Sequence, residues 1–136
     1  MRSLRVGMLV IAMLAVAGCA GSRAVTRPPA GQWYGIVWAM CTEAVQGLEY
    51  LDFTLGEDGR WTAVLGAGAG ARRVEGTARV ERGLLVFEGT VVGRPLIPAY
   101  YKLAINADGM LYGMTVLSLP AGKGTFPALV ELWPRR

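Results

Sequence analysis

The sequence predicts an all-β fold, an eight-stranded antiparallel up-and-down (meander) β-barrel. Three observations carry this expectation. Apolar and polar residues alternate with a period of two through most of the chain after residue 30. Glycine and Asp-Gly pairs recur at short intervals, between runs that alternate in this way. No stretch offers a long 3.6-residue period with caps at its ends.

The elements follow in order. The first strand is expected over Gln32–Met40. The second, Glu49–Leu55, turns at Glu57-Asp58-Gly59 into the third, Arg60–Leu65. Gly66–Gly70 is a glycine-alanine loop, and the fourth strand runs from Ala71 to Glu81. Arg82-Gly83 turns it into the fifth, Leu84–Thr90. Val91–Pro98 contains Pro95 and Pro98 and reads as a longer loop, because proline cannot donate to a sheet ladder. The sixth strand, Tyr100–Asn106, turns at Asp108-Gly109 into the seventh, Met110–Leu119. Pro120–Pro127 reads as a glycine-containing loop, and Ala128–Trp133 closes the series. Asp-Gly between alternating runs is a strong hairpin signal, so consecutive strands are expected to pair.

Alternation assigns the faces. In the fourth strand Val74, Gly76, Ala78 and Val80 oppose Arg73, Glu75, Thr77, Arg79 and Glu81. In the second, Leu51, Phe53 and Leu55 oppose Asp52 and Thr54; in the third, Trp61, Ala63 and Leu65 oppose Arg60 and Thr62. One apolar and one wet side is the mark of antiparallel strands around a core, and closure removes their exposed edges. Gly76, Ala78, Gly89 and Gly113 would relieve crowding where strands coil. The seventh strand is the exception. Met110, Tyr112, Met114 and Val116 share one face and Leu111, Gly113, Thr115 and Leu117 the other, so its outer side is either covered or a contact surface.

The first eighteen residues stand apart from this pattern. Arg2 and Arg5 precede the apolar run Val6–Ala17, which is too short to span a bilayer core of about 30 Å and matches an export signal. Val16-Ala17-Gly18-Cys19 resembles the lipobox of bacterial lipoproteins. The resemblance implies a diacylglycerol on the Cys19 thiol and cleavage just before that residue. It makes residues 1–18 a signal peptide, 19–30 a lipidated cysteine with a proline-containing tether, and 31–136 the barrel domain. Ala20, in place of an aspartate, resembles the outer-membrane sorting signal of Gram-negative lipoproteins. Removing eighteen of 136 residues leaves 118, enough for one domain. Loss of Arg2 and Arg5 lowers the net charge from +4 to +2, and no basic stripe with interleaved aromatics suggests nucleic acid. With Cys19 acylated, Cys41 has no partner within the chain and is expected to be a buried apolar residue or a free thiol.

Gly31-Gln32-Trp33-Tyr34-Gly35 resembles the opening Gly-x-Trp motif of the calycins, the lipocalins, avidins and their relatives. The resemblance implies a calycin-like barrel whose closed end is plugged by Trp33, with Arg135 packed over the indole ring. The lipocalin Thr-Asp-Tyr motif has no counterpart here. Size, address and the early Gly-x-Trp are also similar to bacterial small-barrel metalloprotease inhibitors. That likeness implies an inhibitory arm at Arg23–Ala30, though the disulfide usual in those proteins is missing.

Catalytic chemistry finds little support. The chain has no histidine, which removes the commonest general base and metal ligand. Ser22 and Ser118 have no evident base, and Cys41 lacks a histidine partner. Asp58 and Asp108 belong to turns. Gly66–Ala71 and Ala121–Thr125 lack the spacing of phosphate-binding loops. No enzyme activity, metal or cofactor is therefore expected. The expected function is that of a lipid-anchored, non-enzymatic binding module for a small apolar ligand or an envelope protein. The alternative is an interaction protein, protease inhibition included, that uses the tether and barrel rim. A ligand inside the barrel would meet Phe53, Trp61, Phe87, Tyr101 and Leu111; the same residues could equally fill a solid core, since eight strands leave room for little else. A cavity favours the ligand, and a solid core with an exposed apolar patch favours an interaction role.

Overall fold

Both of the expected Asp-Gly hairpins close through the chemistry of the turn. At the second turn Gly59 adopts φ 79°, its N–H donates to the Gly56 carbonyl (3.1 Å), and Asp58 Oδ1 accepts from the Arg60 N–H (3.0 Å). At Asn106–Gly109 the Asn106 side chain accepts from the N–H groups of Asp108 and Met110, both at 3.0 Å. Short polar side chains that bond the following backbone are what make such residues turn formers.

The computed structural model describes residues 25–41, 44–118 and 125–136, with side chains except at 39–41, 44–48, 95–96, 117–118 and 126. It is an all-β closed barrel of eight antiparallel strands in up-and-down order. The strands are β1 (Gly31–Cys41), β2 (Ala44–Leu55), β3 (Arg60–Leu65), β4 (Arg72–Glu81), β5 (Leu84–Val91), β6 (Arg94–Ile105), β7 (Leu111–Ser118) and β8 (Thr125–Pro134). Every strand pairs with its neighbour in sequence, and β8 closes on β1 from Trp33↔Pro134 to Ala39↔Ala128. Cys19 lies outside the described residues, as does the Cys41 side chain.

Three expectations need correction. The second strand begins at Ala44 rather than Glu49, because its pairing with β1 continues through Leu48 and Val45 past a register shift between Trp38 and Met40. Val91–Pro98 is not a long loop: Val92-Gly93 makes a tight turn, and β6 already begins at Arg94. Pro98 lies opposite Thr90 of β5, and a register shift between Thr90 and Val91 absorbs the irregularity. Among the described residues, pairing of β6 with β7 runs from Tyr101↔Thr115 to Ile105↔Leu111, so Pro98 is paired with β5 alone there and Pro95 falls within the shifted stretch between Arg94 and Pro98. Those are places where a sheet tolerates a missing N–H. β8 likewise begins earlier than expected, at Thr125, so Thr125–Pro127 belongs to a strand; the rest of the expected 120–127 loop lies outside the described residues.

The core is the inward row of every strand, from Trp33 and Val37 of β1 to Ala128, Val130 and Leu132 of β8. Val25 packs against this cluster six residues before β1 begins, and Pro28 and Pro29 are half-buried. The segment read as tether therefore touches the barrel at Val25, while Thr26, Arg27 and Ala30 are exposed.

Candidate functional site

β2, β3, β5 and β6 each send one aromatic side chain into the middle of the barrel. Phe53 and Trp61 stack with ring centroids 5.2 Å apart. Phe87 meets Phe53 edge-on at 4.9 Å and Trp61 at 5.8 Å, and Tyr101 meets Trp61 edge-on at 5.6 Å and Phe53 at 6.0 Å. These are the arrangements that the ring quadrupole favours. All four are at least 98% buried. Four of the five residues proposed from sequence as a ligand lining thus contact one another. Leu111 is fully buried too, but in register with Ile105 and Leu132, towards the end where Trp33 lies.

The backbone makes room for this cluster. Gly76 and Gly89 face each other across β4 and β5, and a Cβ at Gly76 would lie 1.9 Å from the Glu88 carbonyl oxygen. Trp61 is opposite Gly76 on β3. Its indole N–H donates to the carbonyls of Thr77 (3.1 Å) and Glu88 (3.3 Å), so the polar atom of a buried ring is satisfied by the strands that the glycines bring close. Burial pushes the Tyr101 phenol well above its ordinary value, and the Glu49 charge adds to the effect. Glu49 itself is paired with Arg72 (2.6 Å) beyond the Leu51–Leu65 pair, at the end of the barrel opposite Trp33.

At the other end Trp33 is buried and its indole N–H donates to the Gly109 carbonyl (2.9 Å), tying the start of β1 to the β6–β7 turn. Arg135 does not cover it. The guanidinium stands over the ring of Tyr34, 5.2 Å from its centroid, and pairs with Asp52. The physical reason is alternation: Tyr34 and Asp52 are outward residues, and Arg135 follows β8 on the outer side.

The outer surface divides into two walls. On β4 and β5 it is charged: Arg79 pairs with both Glu81 and Glu88. On β7, β8 and β1, and at Tyr50 of β2, it is mostly apolar, with Glu131 inside it and Asp52 at its edge. Register places Met114, Leu129 and Trp38 in one row, then Tyr112, Glu131, Ile36 and Tyr50, then Trp133, Tyr34 and Asp52. Tyr112, Met114, Leu129, Trp133, Tyr34 and Tyr50 are between 37% and 69% exposed. Tyr34 and Trp133 rings approach to 6.3 Å. The sequence marked the β7 part of this wall; the larger part was hidden in β1 and β8, where both faces are apolar and alternation assigns no outside.

Comparison with known protein families, with curated proteins and with solved structures found no match.

Proposed function

We propose that this protein is a non-enzymatic binding module, held at the cell envelope by lipid on Cys19, that engages its partner through its outer surface. The observation that carries this reading is the aromatic cluster of Phe53, Trp61, Phe87 and Tyr101, which occupies the barrel's middle where a small apolar ligand would sit. A binding barrel of this size keeps its centre open. Here the rings take one another as ligands.

An exposed apolar wall supports a contact role for the outer surface, towards a partner or towards the membrane, since large contiguous apolar patches mark such sites. The alternative of an inhibitory arm at Arg23–Ala30 is less favoured, because Val25 is engaged with the core and an arm must be free to enter a cleft. Five of the ten acids are engaged in ion pairs, Asp52 with Arg135, Asp58 with Arg60, Glu49 with Arg72, and Glu81 and Glu88 with Arg79, which supports a binding role over catalysis.

The test is native mass spectrometry of the chain purified from a bacterial host. The expected mass is that of the processed, acylated polypeptide with nothing else retained. A discrete additional mass that disappears on denaturation would return the function to ligand carriage.

A further inference from the structure

We infer that the apolar wall of β7, β8, β1 and β2 is a seat for the lipid bilayer's interfacial zone, so that the barrel lies on its side against the membrane that anchors it. The inference rests on the lipid-anchored reading above and goes on to say how the folded domain meets the lipid.

The length of the leash is the first argument. Val25 packs against the core, so only five residues, 20–24, lie between Cys19 and the folded body, and the six steps from Cys19 to Val25 reach at most about 20 Å. A barrel so held does not sample the envelope at large. The part of it that Val25 packs against stays within that reach of the bilayer, and six residues further on the chain enters β1. β1 also lies at the middle of the apolar wall, between β8 and β2.

Composition is the second argument. The wall is rich in Trp and Tyr, with Trp38 and Trp133 among four tryptophans in the chain. Such rings gather at membrane–water boundaries because one end is apolar and the other wet. Tyr34 and Trp133 stand at the end of the wall where β1 begins, with the Arg135 guanidinium over the Tyr34 ring. Glu131, in the middle row, fits the headgroup level, where a charge costs little, and would not fit the hydrocarbon centre. The seat is therefore shallow.

The third argument is the opposite wall. Arg79, Glu81 and Glu88 form an exposed ion-pair network on β4 and β5, across the barrel from β8 and β1. Seating the apolar side leaves this side and the Glu49–Arg72 end in water, where a soluble partner can reach them. Weak affinity suffices, since the anchor raises the local concentration of wall against membrane.

The experiment reconstitutes the acylated full chain into neutral phosphatidylcholine vesicles, with and without bromine on the acyl chains. It reads flotation, intact mass and tryptophan emission. Bromine quenches only rings that reach the acyl boundary. The expected result is flotation with a loss of up to about half of the emission, because two of the four tryptophans lie on the wall. Leu129→Glu and Met114→Glu, on exposed positions, keep flotation and the folded spectrum but lose most of the quenching. Flotation without quenching in the parent chain overturns the seat and leaves the anchor standing; if that chain also sediments as a dimer, the wall belongs to a second copy. A chain without acyl mass overturns the anchor, and the same vesicles in excess then decide the seat: quenching upholds it, and its absence removes both.

Discussion

Gly76 and Gly89 show how a single missing methyl group shapes this protein. Each would direct a Cβ into a carbonyl of the facing strand, Gly76 towards Glu88 and Gly89 towards Glu75, and the obstacle is backbone, which cannot rotate aside. Gly76→Ala is expected to cost about 3 kcal/mol, read as a lower urea midpoint. Gly70→Ala, where a Cβ meets nothing within 4 Å, should change stability by less than about 0.5 kcal/mol. The sequence showed both strand glycines as small residues on an inward face, and their crowding role could be read from it. That Trp61 would use the same closeness to place its N–H on two carbonyls could not, because the acceptors belong to other strands. Tyr101 adds a pH dependence. Its phenol has a raised value in the folded protein, so above pH about 10 the unfolded chain releases a proton that the folded chain keeps. The stabilising contribution is complete below that pH and is lost as pH rises towards the folded value. Urea midpoints at about pH 8 and about pH 10.5 should fall further for the parent than for Tyr101→Phe.

At the scale of elements the hairpins were the most legible part, because a turn is written in two or three adjacent residues. The β4–β5 turn is the least comfortable of them. Arg82 has φ 51° and Gly83 φ 78°, so both central positions are left-handed, and arginine has no local bond to favour that. Arg82→Asn is expected to stabilise the protein by about 0.5–1 kcal/mol and to raise Tm by a few degrees; thermal denaturation reads it. The strand ends were less legible, for an identifiable reason. Pro95 and Pro98 argue against a strand only if both its edges are paired, and sequence does not say where β6 has one neighbour rather than two. The outward faces of β1 and β8 were illegible on the same principle: a strand that is apolar on both sides points to a second contact without saying which side makes it.

The whole molecule is a closed ring with a filled centre and two unlike outer walls. Closure was inferable from the number of strands and the need to cover edges, and the order of strands follows from the turns. Whether the lumen was a pocket or a core was not inferable, because a ligand lining and a packed interior use the same side chains. The decision lies in the angles between Phe53, Trp61, Phe87 and Tyr101, which only the assembled strands set. The division of the outside also appears only at this scale, since it depends on β1 and β8, distant in the chain, lying side by side.

That last pairing bears on how the protein comes into being. The first strand leaves the ribosome roughly a hundred residues ahead of the one it must zip to, and loops of that length close slowly. Until β8 arrives, β1 and β7 both carry raw hydrogen-bonding edges beside apolar faces. The barrel cannot mature strand by strand during synthesis. It becomes a finished object in one late step, once the whole chain has been made.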